Sequence, residues 1–174
     1  VGVTCLELGG SHFAKIHGLS GGQVPQVRPA FARKLFATLH EATRSGFVRS
    51  CHDMSEGGLA VALAEMAFAG GYGVQTEIAA CPHELHHVQE QEYIVAALFA
   101  ESNTRFICEV PLEKQGDFEN LFAKNQIPCA AIGRVEDSSE VVFNLTNAVG
   151  QGRKLAACPI EQLKDAWQRP LRWP

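Results

Sequence analysis

The chain has 174 residues, of which 46% are hydrophobic and 20% charged, and its formal net charge is −4 at pH 7. This composition predicts a single globular domain over residues 1–174. The pI of about 6.0 argues against nucleic acid as a partner, because neutralising phosphates requires a basic surface. The sequence has no apolar run of the roughly 18 residues that a transmembrane helix needs and no signal-peptide pattern, so we expect no membrane partner. The chain also lacks an initiator Met, which predicts a fragment of a longer protein.

The first half of the chain alternates between β-prone runs and helical patterns. Ser11 is suited to cap a short helix, Pro29 suits the first turn of a longer one, and Gly46 suits its end. In chain order we predict a strand over residues 1–8, a turn over 9–11, a short helix to 17, a glycine-rich connection over 18–27, a helix over 28–45, a strand over 48–51, a turn over 52–58, a helix over 59–69 and a strand over 72–78.

The second half begins with a polar segment, residues 79–91, that is typical of either a surface loop or an irregular helix. The elements that follow are predicted as a helix over 92–100, a strand over 105–110, a helix over 112–125, strands over 130–135 and 140–145, a helix over 159–168 and a short tail. A hairpin across residues 136–139 would join the last two strands.

This alternation predicts an α/β fold in which helices pack on one β-sheet. The connection from residues 140–145 to the final helix is too short for a crossover. We therefore expect a mixed sheet rather than a wholly parallel one.

The most informative segment is the turn His52-Asp53-Met54-Ser55-Glu56-Gly57-Gly58 between a strand and an Ala-rich helix. Two glycines at the start of a helix let the backbone approach a ligand or a neighbouring element, and the helix N-terminus favours an anion. We therefore treat Asp53, Ser55, Gly57 and Gly58 as candidate phosphate- or nucleotide-binding residues. The pattern alone more often reflects close packing than phosphate binding.

The polar residues of this turn each have a second interpretation. Asp53 lies where ligands gather in open α/β sheets, yet it could equally form an Asx turn that holds the bend. His52 is interpreted as a packed, hydrogen-bonded histidine. Ser55 is interpreted as a helix cap rather than a nucleophile, because the sequence has no nucleophile elbow.

The six cysteines stand at irregular spacings without a Cys-x-x-Cys pair, which predicts reduced thiols in a cytoplasmic protein. One cluster, Cys81 with His83, His86 and His87, contains metal-ligand residue types. Its spacing fits no zinc pattern, so we interpret it as a surface turn and predict no metal site.

Four stretches of the chain resemble the C-terminal part of phosphoribosylformylglycinamidine synthase, in the same order. They are ELGGS at 7–11, HDMSEGGLAVALAEMAFAGG at 52–71, LFAES at 98–102 followed by Arg105-Phe106, and IGRV at 132–135. The resemblance covers about residues 5–170. Glu56 departs from it, since the family usually has Asp there.

The resemblance implies a fold like the C-terminal domain of aminoimidazole ribonucleotide synthetase. It also implies an ATP- and Mg²⁺-dependent ligase that turns formylglycinamide ribonucleotide and ammonia from glutamine into the amidine. In that family the formyl amide oxygen is activated as an iminophosphate, and ammonia displaces the phosphate. The implied partners are the remaining synthetase domains of the same chain and a glutaminase subunit or domain. The chain has no Walker loop, so we expect the fragment to require no cofactor and to be inactive alone.

In the family, the first of two such domains contacts substrate through a Glu-Ser-Gln segment. Glu101 and Ser102 match this segment, and Asn103 departs from it. This chain resembles the second copy. We therefore predict a substrate-side pseudo-site whose residues are kept mainly for structure.

Two other functions remain open. One is a related enzyme of the aminoimidazole ribonucleotide synthetase, selenophosphate synthetase or thiamine-monophosphate kinase type, against which HDMSEGGL discriminates. The other is a non-catalytic structural or nucleotide-holding domain.

Overall fold

The computed structural model describes residues 1–147 and 149–172. Within these residues helices and strands alternate, and single 3₁₀ turns lie at Ile78–Ala80, Leu112–Lys114 and Arg169–Leu171. The helices are α1 (His12–Ile16), α2 (Pro29–Arg44), α3 (Gly58–Gly70), α4 (Glu90–Phe99), α5 (Gln115–Lys124) and α6 (Ile160–Gln168). The strands are β1 (Ser50–Asp53), β2 (Gly73–Glu77), β3 (Phe106–Glu109), β4 (Gly133–Glu136), β5 (Glu140–Thr146) and β6 (Gly152–Pro159). None of the helices within the described ranges is long and apolar enough to cross a membrane.

The larger sheet has four strands in the order β4-β2-β5-β6. Strand β2 pairs parallel to β5 and antiparallel to β4, and β5 pairs antiparallel to β6. The prediction of a mixed sheet with helices packed on it is therefore confirmed. Helices α3, α4 and α6 contribute to the core against this sheet, around Leu59, Ile78, Val141 and Ile160.

The prediction of a single sheet is wrong. Strands β1 and β3 form a separate two-stranded antiparallel sheet, in which Asp53 lies opposite Phe106. A second apolar cluster, which includes Leu35 of α2 and Phe122 of α5, packs against this ribbon. Helices α2 and α5 thus pack on the ribbon through Phe106 and Cys108 of β3, while Ile107 of β3 packs against the core of the larger sheet.

The predicted hairpin across residues 136–139 is also wrong. Strands β4 and β5 do not pair with each other, because β2 lies between them. The short connection crosses over the start of β2 at Gly73, where a Cβ would lie 2.7 Å from the carbonyl oxygen of Glu140 and would collide with Ser138 Oγ. A glycine at the start of β2 therefore allows the loop to pass.

The strand predicted over residues 1–8 does not form, apart from one parallel bridge between Thr4 and His83. Gly2 adopts φ +89°, which bends the chain out of the extended conformation. Pairing is also limited by Pro82, which has no N–H to donate and accepts from the Thr4 N–H at 2.9 Å.

The sequence prediction missed strand β6, which pairs with the whole of β5 through a bulge at Phe143 and Asn144. Its sequence GRKLAACP has no β-branched residue, so its pairing depends on β5 rather than on its own propensity. The helix predicted over 112–125 starts as a 3₁₀ turn and becomes α-helical at Gln115.

Helix α3 is where the sequence predicted it. The run LAVALAEMAFA combines strong helix formers, and Gly71 ends the helix in the left-handed conformation at φ +77° with its N–H donating to Ala67 O at 2.8 Å. Leu59 and Leu63 are buried in the core under the larger sheet. This packing fixes the first turn of α3 next to the end of β1.

Candidate functional site

The two sequence segments singled out as candidate sites lie side by side. Met54 N donates to Arg105 O at 3.0 Å, directly after the Asp53–Phe106 pair of the β1–β3 ribbon. The turn that leaves β1 toward α3 therefore meets the connection that leaves α4 toward β3. We call this region, residues 53–58 and 100–105, the turn cluster.

The side chain of Glu101 connects the two segments of the turn cluster to each other and to α1. Its Oε1 accepts from Gly57 N at 2.9 Å and from His12 N, the first residue of α1, also at 2.9 Å. The Nδ1 atom of His12 is 3.4 Å from the same oxygen, and the Glu101 side chain is only 16% exposed. A carboxylate that accepts N–H groups at helix N-termini is stabilised by both the hydrogen bonds and the helix dipole.

Gly57 and Gly58 are both buried and both left-handed, with φ +75° and +63°. A Cβ on Gly58 would lie 2.7 Å from Ala100 O, and a Cβ on Gly57 would collide with Val61. Their N–H groups are already bonded, Gly57 to Glu101 and Gly58 to Ser55 O at 3.1 Å. Gly58 thus permits a close approach of α3 to the end of α4, and Gly57 leaves room for Val61 of α3. The amides of both glycines are not free for a phosphate.

Asp53 and Ser55 are exposed on the outer side of the turn cluster. The Asp53 side chain is 61% exposed and accepts no backbone hydrogen bond within residues 1–147 and 149–172, so the Asx turn is not formed. The interpretation of Ser55 as a helix cap is wrong, because the N-cap of α3 is Gly57 and Ser55 contributes its carbonyl oxygen instead. Of the four candidate residues, Asp53 and Ser55 are thus the two that are exposed.

His52 is hydrogen-bonded, as interpreted from the sequence. Its Nδ1 donates to Asp53 O at 2.7 Å, and its Nε2 lies 2.8 Å from Glu65 Oε2 on α3. The other carboxylate oxygen of Glu65 accepts from Trp167 Nε1 of α6 at 3.0 Å. His52 therefore ties the end of β1 to two helices.

Ser102 is buried and bonded to the backbone of the first segment. Cys5 N donates to Ser102 Oγ at 3.0 Å, and Ser102 Oγ donates to Cys5 O at 3.3 Å. Asn103 is exposed and, with Glu7 and Arg28, lines a cleft of about 20 Å³. That volume holds about one water molecule and no ribonucleotide.

Arg105 was quoted from the sequence only as part of a motif, yet it is 3% exposed and donates from Nη1 to Ala100 O at 2.9 Å, at the C-terminus of α4. Burial lowers the pKa of its guanidinium to about 10, although the carboxylate of Glu7 opposes the shift. Glu7 is also buried and accepts from Gln26 N at 3.0 Å. An arginine before an apolar strand gives no sequence signal for such burial.

No group of three or more His, Cys, Asp or Glu side chains that could hold a metal ion occurs in the described part of the chain. In the cluster of residues 81–87, Cys81 is buried, and burial raises its pKa to about 11. The His83 ring accepts from Leu85 N at 3.2 Å through Nδ1. Burial thus accounts for Cys81, and a hydrogen bond to the backbone accounts for His83.

The model of the family described as "AIR synthase related protein, C-terminal domain" matches residues 1–145. The phosphoribosylformylglycinamidine synthase subunit PurL of Thermococcus gammatolerans is 36% identical over 164 residues, which are 94% of this chain and 21% of that protein. The structure of T. maritima PurL complexed with ATP has a TM-score of 0.70 at 18% identity, over 93% of this chain and 24% of that chain. That of PurLQS from Thermotoga maritima has a TM-score of 0.71 at 17% identity, over the same shares. The chain spans about a fifth of the length of the curated relatives it matches.

Proposed function

Because this chain belongs to the family of AIR synthase related proteins, as a C-terminal domain, we propose that it is one domain of a phosphoribosylformylglycinamidine synthase. The observation that carries the proposal is the sequence likeness to the Thermococcus gammatolerans subunit along nearly the whole chain. The proposed reaction converts formylglycinamide ribonucleotide to the amidine with ATP, Mg²⁺ and ammonia from glutamine. The proposed domain is residues 1–174.

We propose that the turn cluster is mainly a scaffold in this domain. The carboxylate of Glu101 occupies the position beside Gly57 N that an anionic ligand would need. The hydroxyl of Ser102 is hydrogen-bonded to the backbone of Cys5. The cleft beside Asn103 is far smaller than a ribonucleotide. These contacts support a structural role for Glu101 and Ser102 and leave Asn103 as the one exposed member of the substrate-side pseudo-site.

The surroundings of the turn do not fit a complete ATP and Mg²⁺ site. The amides of Gly57 and Gly58 are already bonded, so neither can donate to a phosphate. Mg²⁺ bound with a nucleotide takes one or two carboxylates besides phosphate oxygens, and the exposed Asp53 can supply one of them. We therefore propose that Asp53 and Ser55 contribute side chains to a nucleotide held largely by other domains, and that Gly57 and Gly58 only shape the turn.

We propose that the partners are the remaining synthetase domains and a glutaminase, in the cytoplasm. The PurLQS assembly of Thermotoga maritima supports association with other subunits.

Apolar side chains are also exposed at the end of α1 and in the connection to α2: Ile16, Leu19 and Val27 are 78%, 59% and 60% exposed. Exposed apolar clusters of this kind mark contact surfaces. We propose that this segment faces the remaining synthetase domains.

A domain exchange tests the proposal. The matching segment of the Thermococcus gammatolerans subunit is replaced by this chain, and formation of the amidine is measured with formylglycinamide ribonucleotide, ATP, Mg²⁺ and ammonium, which makes the glutaminase unnecessary. We expect ATP-dependent product from the chimaera and none from the isolated chain, since the turn cluster by itself does not form a complete nucleotide site.

The parent subunit is the positive control, and a chimaera with Ile16→Ser and Leu19→Ser probes the segment that faces the other domains. A folded chimaera without product, beside an active parent, would contradict the proposed family function. Product from the isolated chain would contradict only its proposed role as a supporting domain.

A further inference from the structure

Two cysteines on neighbouring strands are in contact next to the turn cluster. Cys51 of β1 lies directly opposite Cys108 of β3, and their sulfur atoms are 3.6 Å apart. Cys51 is exposed and Cys108 is partly buried. Both thiols are free, so the pair presents two reduced sulfurs within reach of one another and of solvent.

The register of the ribbon suits a bond between these sulfurs. Opposed residues of antiparallel strands alternate between hydrogen-bonded and non-hydrogen-bonded pairs, and the latter have Cα atoms about 4.5 Å apart with closer side chains. Met54 and Arg105 form a hydrogen-bonded pair, so counting back three positions makes Cys51 and Cys108 a non-hydrogen-bonded pair. A Cα separation of about 4.5 Å lies within the range that disulfides adopt.

The two thiols are also chemically unequal. The thiol of Cys108 donates a hydrogen bond to the sulfur of Cys51, which lowers the pKa of Cys51. The same hydrogen bond, together with burial, raises the pKa of Cys108. Because the thiolate is the attacking species, the exposed Cys51 is the nucleophile and Cys108 the second thiol.

We propose that Cys51 and Cys108 form a thiol-modification site that exchanges reversibly with small disulfides of the glutathione type. The Cys51 thiolate attacks one sulfur of the small disulfide, which forms a mixed disulfide and releases one small thiolate. Cys108 then attacks Cys51 Sγ, forms the cross-strand disulfide and expels the second thiolate, while its proton passes to solvent or to a released thiolate. Two electrons move from the protein thiols to the small disulfide, which leaves as two thiols.

The position of the pair gives the modification a structural consequence. Strand β1 ends at Asp53, before the turn that begins α3, and β3 begins three residues after Asn103. A bond between Cys51 and Cys108 links the two strands that lead to both parts of the turn cluster.

Three of the other four cysteines have different surroundings. Cys81 is buried and its pKa is raised by that burial, and the pKa values of Cys5 and Cys129 are raised by burial as well. In the described ranges no second pair of sulfur atoms makes such a contact. The reaction is therefore expected at one pair.

The test treats the purified reduced chain with oxidised glutathione, quenches with acid, alkylates the remaining thiols and maps the modified peptides by mass spectrometry. We expect Cys51 to react about tenfold faster than Cys81. At the end point two of the six thiols should be lost, a peptide linking Cys51 to Cys108 should appear, and excess reduced glutathione should restore both thiols.

The variants separate the two roles. Cys108→Ser should stop at a glutathione adduct on Cys51, Cys51→Ser should form no linked peptide, and Cys129→Ser should behave as the wild type does. The proposal is overturned if the wild-type chain keeps glutathione on Cys51 while Cys108 stays free, if a different pair is linked, or if Cys51 reacts no faster than Cys81.

Discussion

The carboxylate of Glu101 accepts a hydrogen bond from the backbone N–H of Gly57 at 2.9 Å, across 44 residues of sequence. This bond connects the glycine turn at residues 52–58 with the segment Glu101-Ser102-Asn103, and it bears on the interpretation of both motifs. A glycine turn with a free amide would be an anion site. Here the carboxylate of Glu101 is that anion. Its hydrogen bonds connect α1, the start of α3 and the end of α4.

The first prediction concerns how much the hydrogen bonds of Glu101 stabilise the fold. Glu101→Ala removes the acceptor of two backbone N–H groups and should lower the free energy of unfolding by about 2 to 3 kcal/mol, as expected for charge-assisted hydrogen bonds. Glu101→Gln keeps one oxygen and should cost about 1 kcal/mol. Urea unfolding followed by circular dichroism measures both.

The matched control is Glu90→Gln, which removes a carboxylate that is 60% exposed and pairs with Arg153 at the surface. It should change stability by no more than about 0.5 kcal/mol. If Glu101→Ala were as mild as this control, the carboxylate would not hold the turn cluster together.

The second prediction separates backbone strain from close packing at the glycine turn. Gly58→Ala places a Cβ 2.7 Å from Ala100 O at a residue with φ +63°, and should cost about 3 kcal/mol or more. Gly10→Ala is the control, because Gly10 has φ +75° with no atom within 4 Å of the added Cβ. It should cost only about 1 to 2 kcal/mol. Equal losses in the two variants, measured by thermal or urea unfolding, would mean that α3 does not require the close approach.

The sequence predicts helix α3 well because its signals are local. Ala- and Leu-rich helix formers lie between Gly57-Gly58 and Gly71, and each of these glycines adopts the positive φ that its place requires. The same holds for Ser11, whose hydroxyl accepts from Ala14 N at 3.2 Å as the capping pattern predicts.

The sequence fails where pairing partners decide the structure. Nothing local distinguishes a hairpin of β4 and β5 from the observed arrangement with β2 between them, and β6 has little propensity of its own. The candidate site shows the same limit. The sequence identifies Gly57 and Glu101 separately, but only the three-dimensional contact between them shows that the turn's amide is already occupied.

The third prediction tests whether Asp53 and Ser55 face a ligand. Both are exposed, so Asp53→Asn and Ser55→Ala should each change the stability of the chain by no more than about 0.5 kcal/mol. In the chimaeric synthase the same substitutions should reduce amidine formation about tenfold or more, since an aligned charge or hydroxyl would be lost. Glu56→Gln, also in the turn and exposed, is the control and should leave the rate nearly unchanged. Full activity of both Asp53→Asn and Ser55→Ala would assign the turn to structure alone.

The fourth prediction concerns the acid stability that Glu77 provides at the end of β2. Partial burial would raise its pKa, but hydrogen bonds from Thr146 Oγ1 at 2.6 Å, Thr146 N at 3.0 Å and Ala79 N at 3.0 Å outweigh this, so the pKa lies below its ordinary value of 4.5. A carboxyl group whose pKa is lower in the folded state stabilises the fold fully above its unfolded pKa, and the contribution is lost as the pH falls through the folded pKa.

The stability difference between the wild-type chain and Glu77→Gln should therefore be constant from about pH 7 to 5 and should shrink as the pH falls below about 4.5. Urea unfolding at a series of pH values measures it. The control is Glu41→Gln on the exposed surface of α2, whose difference from the wild type should stay small throughout. A Glu77→Gln difference that stays unchanged down to about pH 3 would show that the bonds from Thr146 and Ala79 do not favour the charged carboxylate.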